Sequence, residues 1–454
     1  MNDVYVTDII DISFPDGYGV ARHDGLVIFV PGCVPGDKVE IRTVKRNNRF
    51  AYGEPLQITV PSPSRVTPLC PHFIACGGCT MQNLAYETQL YMKERYLKET
   101  LKRIGKIDVS NIDTSPIVHS PEQTFYRGKI ELAFGEGKNG IMLGMRKRAS
   151  HSGQYLWEVT PINECYIFSE TLKHILPLFN EFVQKNKLSA FNPLTGKGLL
   201  RHLILRESKH SKDIMLILET TNGKLPDLSG LWKNITTEVP CIKSMYRVIN
   251  PNPGDAIKYE TLVRLFGNPY IVESMGDMEL RVYPDSFFQP NPKGAHLLYT
   301  RLAEFVQKED IKNVTGLYCG AGAIELFLSR YVKEVTGIDS SHKNIATAKE
   351  NCIINRIKNC SFKKGRIEDV LKTLNLTDID LLVTDPPREG ITKEGLSSIL
   401  NVKSKTIAYV SCNPSTLARD LKIFIENGYS LTEIYPFDFF PHSSHLETLA
   451  ILKL

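Results

Sequence analysis

The alternation of hydrophobic and polar positions divides the chain into three regions with different rhythms. Residues 1–60 contain short runs of period two, such as VYVTDIIDIS and GLVIFVPG, separated by glycines, which predicts short strands joined by tight turns. Residues 120–280 mix strand-like runs such as KIELAFG with one helical stretch at 170–187, which is typical of an α+β domain. From residue 283 onward, apolar strand-like runs alternate with helical stretches. That rhythm predicts a parallel, doubly wound α/β sheet.

These rhythms predict three domains. Residues 1–60 have the size of a five-stranded barrel of the oligonucleotide-binding kind. The proline-rich VPSPSRVTP follows and marks a boundary, and an amphipathic helix is predicted over 88–103. We therefore predict an OB-like barrel at 1–60, a central α+β domain at 61–282 and an α/β domain at 283–454.

Composition narrows the class of protein. The chain has 454 residues, of which 42% are hydrophobic and 23% charged, as in globular proteins, and no apolar run approaches the roughly 20 residues of a membrane span. The first residues, MNDVYVTDIIDIS, lack the basic and apolar parts of a signal peptide, so we expect a cytoplasmic protein without a membrane partner. The net charge of +5 permits a nucleic-acid partner without requiring one.

Ten cysteines in a chain without an export signal favour metal binding, catalysis or core packing over disulfides. Cys70, Cys76 and Cys79 stand close together in CPHFIACGGC, and Cys165 offers a distant fourth thiolate. Four sulfur ligands suit tetrahedral zinc or an iron–sulfur cluster, and the spacing does not choose between them. The alternative is three unrelated core cysteines.

The run VTGLYCGAGAIEL predicts a strand, a glycine loop and a helix, with backbone amides open to a ligand. A dinucleotide fingerprint needs a third glycine where Glu325 stands, which weakens NAD as the ligand. Asp339 ends the next strand, where it can accept hydrogen bonds from ribose hydroxyls. S-adenosylmethionine fits both observations, and a tight packing turn is the alternative.

Two further strand ends carry chemistry. In LLVTDPPREG, Asp385 falls at the carboxyl end of a strand, the edge where open α/β sheets bind ligands. In YVSCNPSTLARDL, Cys412 ends the following strand just before a helix start that can favour a thiolate. An acid at a strand end can also cap a helix, and a lone cysteine is often a small core residue. Their common edge favours the catalytic interpretation.

Taken in order, these motifs closely resemble the S-adenosylmethionine-dependent RNA (uracil-5-)methyltransferases. The resemblance is to the 23S ribosomal RNA branch, which carries an N-terminal TRAM domain and a four-cysteine iron–sulfur cluster, and it covers nearly the whole chain. Two residues depart from the family's pattern. Gly316 stands where the family usually has an acid, and Pro290 stands where it commonly has a small aliphatic residue. The motifs are the four cysteines, FYRGKIEL, SFFQPNP, LYCGAGAIEL, TDPPREG, SCNPSTLARDL and HLETLAIL.

The resemblance implies a Rossmann-like methyltransferase domain, a monomeric enzyme and 23S rRNA as partner. It implies that Cys412 is the nucleophile and Glu447 the base. It further implies that S-adenosylmethionine contacts Gln289, Tyr318, Asp339 and Asp385, and that a [4Fe-4S] cluster is held by Cys70, Cys76, Cys79 and Cys165.

The implied chemistry is covalent catalysis: a thiolate that adds to carbon 6 of uracil makes carbon 5 nucleophilic. Phe287 and Phe288 are candidates for holding the flipped base, and three basic clusters, at 45–49, 127–129 and 146–148, for holding RNA. Two alternatives stay open from the sequence. They are the same reaction on the T loop of tRNA, and an RNA-binding iron–sulfur protein without catalysis.

Overall fold

The computed structural model describes residues 3–137, 140–147, 157–373 and 379–454. The front of the chain forms one sheet in the order β1-β5-β6-β4-β3-β2, which confirms the predicted short strands. It has six strands where five were predicted, because a two-residue strand pairs with β3. Closure into a barrel stays a prediction. The strands are β1 (Val4–Asp8), β2 (Asp11–Ile12), β3 (Gly19–His23), β4 (Leu26–Val30), β5 (Lys38–Arg46) and β6 (Phe50–Val60).

The predicted amphipathic helix is present as α1 (Tyr86–Thr100), which continues into a π-helical turn at Leu101–Gly105. Its buried Leu97 and the following Leu101 pack in one hydrophobic cluster with Leu417 and Leu421 of the C-terminal region. A short 3-10 turn, Val109–Asn111, then leads to β7 (Asp113–Thr114).

The central region is a seven-stranded sheet in the order β10-β9-β8-β11-β12-β13-β14. Strands β11 and β12 are buried along their whole length because both faces of the sheet are covered, by α2 and α3 on one side and by the β15–β16 hairpin on the other. The elements are β8 (Lys129–Gly137), β9 (Gly140–Arg146), β10 (Val159–Pro161), α2 (Leu172–Lys185), β11 (Leu200–Glu207), β12 (Ile214–Thr220), α3 (Ser229–Glu238), β13 (Ile242–Ile249), β14 (Thr261–Gly267), β15 (Ile271–Met275) and β16 (Met278–Val282).

The C-terminal region forms an eight-stranded sheet in the order β19-β18-β17-β20-β21-β23-β22-β7. The elements are α4 (Pro292–Lys308), β17 (Asn313–Leu317), α5 (Ala323–Leu328), β18 (Glu334–Asp339), α6 (His342–Ile354), β19 (Cys360–Lys364), α7 (Ile367–Val370), a 3-10 turn at Leu371–Thr373, β20 (Leu381–Thr384), α8 (Lys393–Val402), β21 (Thr406–Ser411), α9 (Pro414–Glu426), β22 (Ser430–Phe437) and β23 (Glu447–Lys453).

The doubly wound α/β fold predicted for this region is confirmed, with one difference. The five strands from β19 to β21 are parallel, whereas β23 runs antiparallel to both β21 and β22. The reason lies in the connection: residues 438–446 join β22 to β23 without a crossover helix, and a parallel neighbour requires a crossover.

Strand order also determines where a ligand can bind. The chain leaves β17 toward β18 on one side and later returns to β20 on the other, so the order reverses beside β17. A crevice forms outside the carboxyl ends of the strands at such a point. The start of β23, which is antiparallel, lies at the same edge. No helix in the described ranges is both long and apolar enough to cross a membrane.

Candidate active site

A cavity of about 520 Å³ opens at this edge of the C-terminal sheet. The segment before α4, the glycine loop after β17, and the ends of β18, β20 and β21 contribute to its wall, together with the start of β23. All six residues that the sequence singled out for cofactor binding and catalysis line it: Gln289, Tyr318, Asp339, Asp385, Cys412 and Glu447.

Asp339 holds the glycine loop at the end of β18. One carboxylate oxygen accepts a hydrogen bond from the Gly320 backbone N–H at 3.0 Å, and the other accepts from Ser341 N–H at 2.7 Å and from the Asn344 amide at 3.2 Å. A carboxylate offers about four acceptor positions. The carboxylate can therefore fix the loop and still accept a hydrogen bond from a ligand hydroxyl.

The loop itself needs unusual backbone conformations. Gly322, which precedes α5, has a φ of 81°, and a Cβ atom there would lie 2.8 Å from the Phe362 ring. Tyr318 is not glycine, yet its φ is 58°, in the left-handed region where a non-glycine residue is strained. Burial raises the pKa of the Tyr318 phenol to about 12, so its hydroxyl is neutral at physiological pH.

Gln289 and Asp385 connect two walls of the cavity. The Gln289 side-chain amide donates to Asp385 Oδ2 at 3.3 Å, which joins the segment before α4 to the end of β20. Asn291 caps α4 by accepting from Gly294 N–H, and so holds the Gln289 segment in place. Desolvation raises the pKa of Asp385 to about 7, and the hydrogen bond from Gln289 opposes this rise.

Cys412 follows β21 and is half-buried, and Asn413 caps α9 by accepting from Ser415 N–H at 3.0 Å. Burial raises the pKa of the Cys412 thiol to about 12, and the carboxyls of Glu447 and Asp385 act in the same direction. The sequence led us to expect that the helix start favours a thiolate at Cys412. In the structure, burial and the two carboxyls act against the thiolate. Arg388 is the nearby cation that lowers this pKa.

Glu447 is the first residue of β23 and is 4% exposed. Burial, with Asp385 second, raises its pKa well above the usual carboxyl value, while Arg388 opposes the rise. His445, two residues earlier, contacts Arg388 at 2.9 Å between Nδ1 and Nη2. Burial and Arg388 lower the pKa of His445 to about 4, so the imidazole is neutral at physiological pH.

Sequence reasoning missed the part played by two charged residues of this cavity, Arg388 and Glu325. Arg388 lines it and acts on both Cys412 and Glu447; the signal was the cation directly after Asp-Pro-Pro. Glu325 also lines it and had been noted only as a missing glycine. A Cβ atom on Gly316 would lie 1.9 Å from Glu325 Oε1, so the Glu325 carboxyl fills the space that a side chain at 316 would need.

The two candidate base-holding phenylalanines differ in exposure. Both line the cavity, with Phe287 56% exposed at its edge and Phe288 partly buried against two core clusters.

The basic clusters also differ from one another. Residues 45–49 are exposed at the end of β5 and in the turn to β6, whereas Lys129 pairs with Glu131 at 2.6 Å and Arg146 with Asp255 at 2.7 Å. Arg148, the last residue of the third cluster, lies outside the described residues.

A second cavity, of about 110 Å³, lies where the sequence predicts a metal or cluster site. Burial raises the pKa of Cys76 to about 11, with Cys165 and Cys70 adding to the rise, so these thiols are near one another. In the ranges 3–137, 140–147, 157–373 and 379–454, no group of three or more His, Cys, Asp or Glu side chains has the arrangement that holds a metal ion. The cavity is lined by all four predicted cysteines, Cys70, Cys76, Cys79 and Cys165.

Comparison with known proteins relates this geometry to a family. Residues 268–454 match the family described as tRNA (Uracil-5-)-methyltransferase, and residues 3–56 match the TRAM domain. An uncharacterized RNA methyltransferase of Oceanobacillus iheyensis is 33% identical over 458 residues, which cover 100% of this chain and 97% of that protein. One from Clostridium acetobutylicum is 34% identical over 453 residues, which cover 99% of this chain and 96% of that protein.

A solved structure matches the whole architecture. The crystal structure of Pyrococcus abyssi tRNA (uracil-54, C5)-methyltransferase in complex with S-adenosyl-L-homocysteine has a TM-score of 0.76 and 28% identity, and the match covers 98% of this chain and 100% of that chain. RNA methyltransferases above 30% identity span almost the entire sequence, and two family models match its two ends. Together they show that this chain belongs to the family of RNA (uracil-5-)methyltransferases that carry a TRAM domain.

Proposed function

We propose that this methyltransferase acts on carbon 5 of a uridine in 23S rRNA, with Cys412 as the nucleophile and Glu447 as the base. The observation that carries the proposal is the cavity of about 520 Å³, because a thiol, a buried carboxyl and the expected cofactor contacts all line it. Covalent activation of a pyrimidine needs a thiol and a proton acceptor at one ring.

S-adenosylmethionine is the cofactor of this reaction class, and it supplies an electrophilic methyl group when bound. The residues of the cavity suit this cofactor, because its sulfonium group is cationic. The cavity wall carries four carboxyls, from Glu325, Asp339, Asp385 and Glu447. Glu325 Oε2 is buried and has no hydrogen-bond partner among the described residues. This oxygen can therefore accept a hydrogen bond from a ligand in the cavity.

In the proposed mechanism, the Cys412 thiolate forms a bond from Sγ to carbon 6 of uracil, and the ring electrons move to make carbon 5 nucleophilic. After carbon 5 is methylated, Glu447 removes its proton. The electron pair left behind re-forms the 5,6 double bond and expels Cys412 as a thiolate. Glu447 must be ionised to act, and the rise in its pKa on burial means that a cation in the cavity would favour the active form.

For the second cavity we propose a [4Fe-4S] cluster held by four thiolates. Its support is the convergence of four cysteines from two distant parts of the chain on one cavity. Gly78 N–H lies 3.4 Å from Cys76 Sγ and the Gln82 amide lies 3.3 Å from Cys79 Sγ. Donors of this kind stabilise negative charge on cluster sulfurs. In this interpretation the four ligands tie the 70–79 segment to the central region.

The choice of RNA has support on two sides. The four-cysteine cavity together with the TRAM domain favours 23S rRNA, through the resemblance of these motifs. The tRNA alternative is favoured by the Pyrococcus abyssi relative, which modifies uracil 54 of tRNA and matches this chain over 98% of its length.

One experiment separates the two substrates. We expect 5-methyluridine at one or more positions of 23S rRNA to disappear from cells that lack this gene and to return with the wild-type gene but not with Cys412→Ala. Loss confined to tRNA would replace the substrate assignment, and unchanged methylation in both RNAs would refute it.

A second experiment tests the roles of the two residues. RNA with 5-fluorouridine at the target cannot lose fluorine as a cation, so the adduct should persist on denaturing gels with wild-type protein. It should be absent with Cys412→Ala. On ordinary RNA, Glu447→Gln should accumulate the corresponding covalent adduct, because the proton on carbon 5 is not removed. A Glu447→Gln variant that turned over normally would exclude Glu447 as the base.

A further inference from the structure

Glu325 is a buried carboxyl that the proposed mechanism does not use. It lies in α5, directly after the glycine loop, and is 2% exposed. Its Oε2 atom has no hydrogen-bond partner among the described residues, although the residue lines the cofactor cavity. Leaving a buried carboxyl oxygen unpaired is costly, so such a group in a ligand cavity indicates a partner that comes with the ligand.

The position of Glu325 depends on Gly316 of β17. A Cβ atom on Gly316 would lie 1.9 Å from Oε1 and 3.0 Å from Cγ of Glu325. The φ of Gly316 is not positive, so the backbone at this position does not itself require glycine. Glycine is needed at position 316 because the Glu325 carboxyl, which comes from α5, occupies the space that a side chain there would fill.

The charges that act most strongly on Glu325 are acidic. Burial raises the pKa of Glu325 to about 8, and Asp385 and Asp339 act in the same direction. Arg388, which acts on Cys412 and Glu447, is not among the largest causes of this shift. The titratable groups that face Glu325 from the packed elements are Asp385, Asp339, Cys352, Cys360, Cys319 and Tyr299.

The strand order indicates which part of the cofactor reaches Glu325. Asp339, the expected ribose contact, ends β18, whereas Cys412 and Glu447, the expected contacts of the target base, lie at β21 and β23. Strands β17 and β20 lie between these two sites. The sulfonium methyl must face the target base. The amino-acid end of the cofactor can therefore reach the part of the cavity wall beside β17. Glu325 lies in that part, next to Gly316.

We propose that Glu325 accepts a hydrogen bond from the α-ammonium group of the cofactor and so selects nucleosides that carry the amino-acid end. An ammonium brings three N–H donors and a positive charge, which together match an unpaired carboxyl oxygen in an acidic wall. A sulfonium has no N–H donor. The inference rests on the proposed function, because it takes S-adenosylmethionine as the ligand.

Three ligands separate this role from a structural one. S-adenosylmethionine and S-adenosylhomocysteine both carry the ammonium, whereas 5′-methylthioadenosine lacks the amino-acid end. By equilibrium binding, we expect Glu325→Gln to weaken the first two roughly 10- to 100-fold, the range for a hydrogen bond to a charged group. Its affinity for 5′-methylthioadenosine should stay within about twofold, because that ligand makes no contact with a carboxyl at this place.

The other outcomes overturn the inference. Equal loss for all three ligands would show that Glu325 only supports the cavity, and loss for S-adenosylmethionine alone would assign it to the sulfonium. Unchanged affinity for all three would remove it from the site. Wild-type protein that bound none of the ligands would refute the proposed function itself, and the inference with it.

An exchange of positions keeps the test independent of folding. Glu325→Ala should lose affinity for the two amino-acid ligands, and adding Gly316→Asp to it should restore most of that loss, because the new carboxyl enters the same space from the strand. Gly316→Asp alone places two carboxyls where one fits, so its melting temperature should fall. Failure of the double variant to regain affinity, when its melting temperature matches that of Glu325→Ala, would overturn the assignment.

Discussion

The ionisation of Cys412 is the property of this active site that can be tested most directly. Burial raises the pKa of its thiol to about 12, Glu447 is the next largest cause, and Arg388 acts in the opposite direction. Replacing these two charges one at a time should shift the pKa in opposite directions. We predict that Glu447→Gln lowers the pKa of Cys412 and that Arg388→Gln raises it.

The magnitude follows from burial and exposure. At pH 7.5 a thiol with a pKa of about 12 is ionised in roughly one molecule in 30,000, against roughly one in ten for an ordinary cysteine. A carboxylate a few ångströms away in a partly desolvated site interacts with a thiolate by about 2 kcal/mol, or about 1.5 pKa units. Where Glu447 is ionised, Glu447→Gln should therefore raise the thiolate fraction about 30-fold. Arg388 is exposed, so solvent screening should keep its effect to roughly threefold.

The sign is the same at every pH where the thiol titrates. An ionised Glu447 carboxyl disfavours the Cys412 thiolate, whereas a protonated one carries no charge that could oppose it. Removing that charge favours the thiolate. Arg388 is positively charged throughout, and removing it has the opposite effect.

The assay is the rate of alkylation by iodoacetamide, followed by mass spectrometry of the peptide that contains Cys412, between pH 6 and 10. Cys241 of the same protein is the internal control, since Glu447 and Arg388 are not among the largest causes of its pKa shift. If both variants shift the rate in the same direction, or neither does, the electrostatic account of this cavity is wrong. A change at Cys241 of equal size would indicate altered folding instead.

Two further predictions concern stability and the second cavity. Lys93 is fully buried and donates to Asp438 at 2.6 Å, so Lys93→Met should leave an unpaired buried charge and reduce the free energy of unfolding by about 3–5 kcal/mol. Lys98→Met, which breaks a more exposed pair on the same helix, should cost at most about 1 kcal/mol, and urea unfolding of both variants measures the difference. Cys79→Ser should remove most iron and acid-labile sulfide from protein purified without oxygen, whereas Cys241→Ser, outside that cavity, should retain both. Wild-type protein without iron would contradict the cluster.

Much of the fold could be predicted because its signals are local. The period-two runs of the front region became β1 to β6, and the amphipathic pattern at 88–103 became α1 and its π-helical turn. The direction of β23 could not be predicted in this way. It depends on whether a helix intervenes before the strand and on which two strands accept it, and hydrophobic period reports neither.

The candidate site divides along the same line. Sequence placed Asp339, Asp385 and Cys412 at strand ends, and one cavity brings them together. The sequence did not reveal that Arg146 pairs with Asp255. The two residues are 109 positions apart, and only the packed central sheet brings them into contact.

By itself, the sequence determined which chemical groups the chain offers and at which strand ends they stand, because strand period and turn residues act over a few positions. The tertiary structure decided how those groups behave. The raised pKa of Cys412 comes from burial and from carboxyls on other strands, and the place of Glu325 comes from the missing side chain at Gly316. Electrostatic and steric effects act through space between residues far apart in the chain, so only the folded molecule determines them.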